Sequence, residues 1–151
     1  MNFIGRQPYS ITQKWILDHS DNLSDQIRMN MINFFVNKMP SSTCNRSYLK
    51  MWTTYNDCKN IIKGNGFTRR FVKMWDKNLQ YSESIYLAYI ANNYLPVKEE
   101  HTLTNDQYAL SILINFIGRS SIRNGKDIYI YLPSLRMRRI LKEWIKTSTF
   151  K

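Results

Sequence analysis

Residues 120–146, SSIRNGKDIYIYLPSLRMRRILKEWIK, constrain this chain more than any other stretch. Asn124 and Gly125 both tolerate positive φ, and an Asn-Gly pair ahead of an apolar run is a strong short-range hairpin signal. Ile128, Tyr129, Ile130, Tyr131 and Leu132 are β-branched, aromatic or aliphatic, so the pattern predicts a strand. Pro133 ends it, and Ser134 can cap a helix by accepting from a free backbone N–H. On that helix Met137, Ile140, Leu141 and Trp144 recur at helical spacing and are expected to face a core. Leu135, Arg138, Lys142 and Lys146 form a neighbouring stripe, flanked by Arg136 and Arg139. One side of the unit is apolar and the other densely cationic.

Charge explains why the cationic side draws attention. The chain has 151 residues, with 22 Lys and Arg against 11 Asp and Glu, for a formal net charge of +11. Such an imbalance repels itself, and a polyanionic partner relieves it. Nucleic acid is the commonest such partner, followed by an acidic protein or an anionic membrane. The length suits one domain, 1–151, with a single core, and 43% apolar residues exclude a disordered chain. Cys44 and Cys58 have no CxxC spacing and are read as free thiols in a reducing compartment. No apolar run approaches the ~20 residues of a membrane span. The expectation is a soluble protein of the cytoplasm, or of the host-cell interior if viral.

Along the chain, residues 1–22 look loosely ordered, with Ile11, Trp15 and Ile16 able to line a short helix. Residues 23–39 carry Leu23, Ile27, Met31, Phe34, Phe35 and Met39 near helical spacing, closed by Pro40. Residues 48–55, YLKMWTTY, favour a strand, and NDCKNIIKG after them a short helix. Residues 63–66, KGNG, form a turn whose glycines could let backbone N–H groups approach a phosphate, although a plain loop is the stronger reading. In FTRRFVKMW, residues 67–75, cations alternate with aromatic rings, a pattern suited to single-stranded nucleic acid and equally to a strand with one buried face. IYLAYIANNY, residues 85–94, can be a buried strand or a helix. Thr104 and Gln107 are spaced as a capping box for a helix over 105–117, with Leu110, Leu113, Ile114 and Ile117 inward and Gly118 at its end.

Catalytic constellations are not visible. His19 and His101 stand alone, Asp57, Asp76 and Glu83 are scattered, and neither an HExxH nor a GxSxG spacing occurs. The expectation is a non-enzyme with no cofactor and no metal.

Three segments resemble the carboxyl-terminal part of helicase-like superfamily 2 proteins of bacteriophages and mobile elements. They are WTTYNDCKNIIKGNGFTRRF, YLAYIANNY and DQYALSILINFIGRSSIRNGKDIYIYLPSLRMRRILKEWI. The second RecA-like lobe of that superfamily ends with a glutamine, a spacer, Gly-Arg and a further arginine. Residues 115–123, NFIGRSSIR, are similar, with Asn115 in place of the glutamine and the second arginine one position late. The resemblance implies an α/β lobe in which YLKMWTTY, FTRRFVKMW and IYLAYI are strands. It lacks the ATP-binding first lobe and so does not imply an ATPase, unless a partner chain supplies the phosphate-binding loop. The expected fold class is therefore α/β: a single domain, a partial RecA-like lobe with a carboxyl-terminal hairpin or strand and a basic helix. A mostly α chain with a small β-hairpin is the alternative.

The expected function is a non-catalytic nucleic-acid-binding accessory protein of phage, viral or mobile-element origin that contacts phosphates through a basic carboxyl-terminal surface. Lys63, Arg69, Arg70, Arg119, Arg123, Lys126, Arg136, Arg138, Arg139 and Lys142 are its candidate phosphate contacts, and Phe67, Tyr129 and Tyr131 its candidate stacking rings. Six engaged cations would lower affinity by ~10³ between 50 and 200 mM salt. The rival expectation is an inhibitor or loading factor that docks its basic helix on an acidic host or replisome protein.

Overall fold

Two strands whose every residue is buried, β2 (Lys50–Thr54) and β3 (Tyr86–Ile90), pair in parallel over their full length. Burial on both faces is what a parallel sheet imposes, and it explains the continuous apolar run of YLAYI. The computed structural model describes residues 2–4, 11–19, 23–37, 50–64, 71–74, 84–95 and 103–148. Within them β1 (Asn2–Ile4) and β4 (Tyr129–Tyr131) complete a four-stranded sheet in the order β1-β4-β3-β2, every pair parallel. This is a Rossmann-like α/β domain, and the mostly α alternative does not hold.

Side-chain alternation along the strands builds two cores. Met51, Leu87, Tyr89 and Ile130 point to one face, where α4 (Asn105–Ile117) and α5 (Leu135–Ser148) cover them with Ile112, Leu113, Phe116, Met137, Ile140 and Leu141. Trp52, Tyr86, Ala88, Ile90 and Tyr131 point to the other. There α1 (Gln13–Asp18), α2 (Leu23–Asn37) and α3 (Lys59–Lys63) contribute Ile16, Ile27, Met31, Phe34, Phe35 and Ile62. The chain crosses from β1 at one edge to β2 at the other beneath α1 and α2, then steps back through β3 to β4. With α1, α2 and α3 on one face of the sheet and α4 and α5 on the other, the domain has three layers.

The capping box is present: Thr104 Oγ1 accepts from Gln107 N at 3.1 Å and Gln107 Oε1 from Thr104 N at 2.9 Å. Ser134 Oγ likewise accepts from Met137 N at 3.2 Å at the start of α5. The segment 1–22, read as loosely ordered, supplies β1 and α1.

Three expectations change. Asn124-Gly125 makes no hairpin. It closes a 3-10 turn over Ser121–Asn124, with Gly125 at φ +73° as its left-handed cap, and β4 runs parallel to both neighbours. A left-handed residue serves a helical cap as well as a tight turn, so the pair alone does not decide between them. Trp144 is 37% exposed and does not point into the core. Fourteen helical residues run ~21 Å, past the ~10 Å of a three-residue β4. Gly64, finally, is the cap of α3 at φ +58°, with the Arg28 guanidinium laid over it. Arg28 Nε and Nη2 donate to Ile62 O and Ile61 O at 2.8 and 2.9 Å, so that position faces a cation and not a phosphate.

Candidate functional site

The arginines expected on one basic surface are divided among several environments. Arg119 is 2% exposed, and its Nη1 and Nη2 donate to Lys73 O and Met74 O, each at 2.9 Å. The carbonyls it meets belong to a segment joined to the sheet by one isolated bridge, Trp52 with Phe71, and the guanidinium supplies donors the sheet does not. Arg119 is therefore an interior strut, which corrects its assignment as a phosphate contact. Arg138, 6% exposed, is withdrawn from the surface as well.

Arg136 and Arg139 are engaged by the protein's own oxygens. Arg136 Nη1 donates to Asn93 O at 2.6 Å and Asn92 Oδ1 at 2.8 Å, while Nη2 meets Asp106 at 3.1 Å. Arg139 reaches Asp106 at 3.2 Å and Glu143 at 3.5 Å, and the Asp106 hydrogen bond raises its pKa. Tyr131, 1% exposed, lies in the core 6.1 Å from Phe34, and half-buried Tyr129 is stacked on Tyr86 at 5.3 Å. Neither ring is available to a base, because a parallel sheet covered on both faces encloses what β4 carries.

Lys63 is half-buried at the end of α3, on the face opposite α5. Phe67, Arg69 and Arg70, with the Arg123 side chain, lie outside the described residues. Exposed cations of the carboxyl-terminal unit, besides Arg139 with its carboxylate partners, are Lys126 in the loop entering β4, and Lys142 and Lys146 on α5. Leu135, Arg138, Lys142, Ile145 and Lys146, with the Arg139–Glu143 ion pair, line a shallow groove of 580 Å³ along that helix. The stripe read from the sequence thus exists, with lysine rather than arginine at its exposed end.

A second site lies at the carboxyl ends of β2 and β3. After β2 the chain turns toward α3 on one face, and after β3 toward α4 on the other. Neighbouring strands that diverge in this way open a crevice. Here it measures 710 Å³ and is lined by Gln13, Tyr55, Asn56, Asp57, Lys73, Asn93, Tyr94 and Tyr108, among others. Tyr55 ties the strand ends together: its hydroxyl accepts from Asn92 N at 2.9 Å and lies 3.0 Å from Asn92 O and 3.2 Å from Ile11 O. Burial pushes its pKa well above the ordinary tyrosine value, so the hydroxyl stays neutral and structural. Asp57 accepts from Gln13 Nε2 at 2.9 Å. The sequence signal for the crevice was the pair of polar runs YND and NNY, each following a fully buried strand.

Beneath the crevice Cys58 is buried and free. Burial, then the Asp57 charge, pushes its thiol from 9.0 up to about 11. The folded thiol stays protonated where the unfolded one ionises, so this contribution to stability is complete below pH 9 and is lost as pH rises through 11. In a Cys44→Ser background, a maleimide at pH 8 should label Cys58 no faster than the domain opens. Labelling at the rate of a free thiol would contradict its burial.

With the geometry in view, comparison with known proteins places the chain. Residues 1–145 match the family described as the YonV C-terminal Rossmann-like domain. The chain belongs to this family. A relative in Bacillus subtilis (strain 168), the SPbeta prophage-derived uncharacterized protein YonV, is 32% identical over 156 residues. The alignment covers 98% of this chain and 37% of the relative, so the chain spans less than half the length of the curated relative it matches. The family is phage-associated and Rossmann-like, in agreement with the parallel sheet and its two helical layers. No solved structure matches the chain. Among the described residues no helix is long and apolar enough to cross a membrane, and no group of three or more His, Cys, Asp or Glu could hold a metal.

Proposed function

We propose that this domain is a non-catalytic binding module of a phage protein that engages nucleic acid through the exposed lysines of its carboxyl-terminal unit. The observation that carries the proposal is the outer stripe of α5, where Lys142 and Lys146 project beside an open groove in a chain of net charge +11. Lys126 is the third cation called upon. Arg119 and Arg138 are not, and with Arg119 buried the resemblance to helicase second lobes contributes no nucleotide-sensing arginine to the reading.

Three phosphate contacts, with Arg136 and Arg139 already engaged, make a modest and sequence-tolerant binder. The direct test is fluorescence anisotropy with labelled single- and double-stranded oligonucleotides at 50 mM salt. Saturable binding to either supports the proposal, and a flat signal into the high micromolar range overturns it.

One observation favours a second reading. Leu135 is 52% exposed at the head of the lysine stripe, and an apolar anchor among cations suits an acidic protein surface. Failure to bind either oligonucleotide, together with tight binding to an acidic helical peptide carrying apolar anchors, would replace the first reading with this one.

A further inference from the structure

We infer that the crevice between the carboxyl ends of β2 and β3 is a binding site for one nucleoside monophosphate unit. Its 710 Å³ falls within the range of sites that enclose small ligands. Three features of different chemistry converge on it, and each matches one part of that unit.

The first is a fixed aromatic ring. Tyr94 is 49% exposed, and the Arg136 guanidinium lies 4.1 Å from its centroid. That guanidinium is itself fixed by Asn93 O, Asn92 Oδ1 and Asp106. A ring braced by a cation and still half open is a platform for a planar base. The exposed Asn56 amide in the crevice wall offers a donor and an acceptor to a base edge, while buried Asn93 is held by Tyr89 and Met74.

The second is a cation. Lys73 is exposed at the crevice, and no carboxylate among the described residues pairs with it. Its position is set from below, because buried Arg119 holds the Lys73 and Met74 carbonyls at 2.9 Å each. The interior strut thus gains a purpose: Arg119 is a positioning residue for the lysine. One ammonium in the crevice suits a monophosphate more than a polyphosphate chain.

The third is a carboxylate. Asp57 is exposed beyond the end of β2, where Gln13 Nε2 engages one oxygen at 2.9 Å. Its remaining acceptor capacity suits sugar hydroxyls, which donate. The same unit could arrive as a free mononucleotide or as the phosphorylated end of a strand.

Isothermal titration of the full chain with AMP, GMP, CMP and dTMP, and with inorganic phosphate and adenosine as fragments, tests the site. The expected result is saturable binding of at least one monophosphate, with each fragment at least tenfold weaker. Tyr94→Ala and Lys73→Gln should each weaken it about tenfold with the unliganded melting temperature unchanged, since both side chains are exposed. Lys142→Glu with Lys146→Glu should leave it unaltered, which separates this site from the α5 stripe. A 5′-phosphorylated dinucleotide that binds more tightly than the monophosphate assigns the site to strand ends, and the opposite order assigns it to free nucleotides. Absence of binding by every monophosphate and by the dinucleotide at millimolar concentration overturns the inference, as does binding that survives both crevice substitutions.

Discussion

Arg119→Met should lower the stability of the domain by about 3 kcal/mol. The substitution removes two donors from the Lys73 and Met74 carbonyls, which lie 46 and 45 residues away in sequence, and it leaves a buried Met74 carbonyl and a part-buried Lys73 carbonyl beside an apolar chain. Each orphaned buried acceptor costs ~1–3 kcal/mol. In a domain of this size that is a melting-temperature loss of about 10 °C. Arg119→Lys should recover part of it, because an ammonium can reach one carbonyl but not fork to two. Thermal unfolding followed by circular dichroism reads the difference. An unchanged melting temperature in Arg119→Met would mean that the guanidinium is solvated and the strut does not exist.

The second large effect belongs to the lysines. Lys142→Glu combined with Lys146→Glu should weaken oligonucleotide binding by about 100-fold at 50 mM salt, as two attractions become repulsions. The melting temperature should move little, because both side chains are exposed on the outer face of α5. Arg136→Glu is a poor substitute. It would break the contacts with Asn92, Asn93 and Asp106 that hold the loop after β3, and so confound binding with folding. Retention of wild-type affinity by the double variant would remove α5 from the interface.

Much of the framework was readable because it is local. YLAYI is the exception: its local pattern left strand and helix open, and only the parallel pairing with β2 and β4 makes it β3. Thr104 and Gln107 start α4 where their spacing predicts. KMWTT followed by NDCKNIIK became a strand, a tight turn and a short helix. What was misread depends on partners distant in sequence. Three residues of β1 have no period of their own and become a strand only beside β4 at the other end of the chain. Asn124-Gly125 encodes a left-handed residue without saying whether a hairpin or a helical cap uses it.

The arginines teach the same lesson about function. Counting charges gave one surface, yet Arg119 serves buried carbonyls and Arg136 and Arg139 share Asp106. Nothing in RMRR distinguishes a cation that faces solvent from one that holds a loop. The lysines remained outside because an ammonium on a flexible stem is well hydrated, whereas a planar guanidinium can satisfy two fixed carbonyls at once. No motif marks the crevice, because its walls come from α1, the ends of β2 and β3, the 71–74 segment and α4.

The most direct measurement of the central claim is the salt dependence of oligonucleotide affinity for the full chain. Three phosphate contacts from Lys126, Lys142 and Lys146 predict a slope of log affinity against log salt near −2.7 on duplex DNA, a fall of about 40-fold between 50 and 200 mM. The ~10³ expected from six cations no longer applies once the arginines are accounted for. A slope near −2.7 that drops by about two units in the Lys142→Glu, Lys146→Glu variant is the predicted result. An affinity that does not change with salt, or a slope the substitutions leave intact, would contradict it.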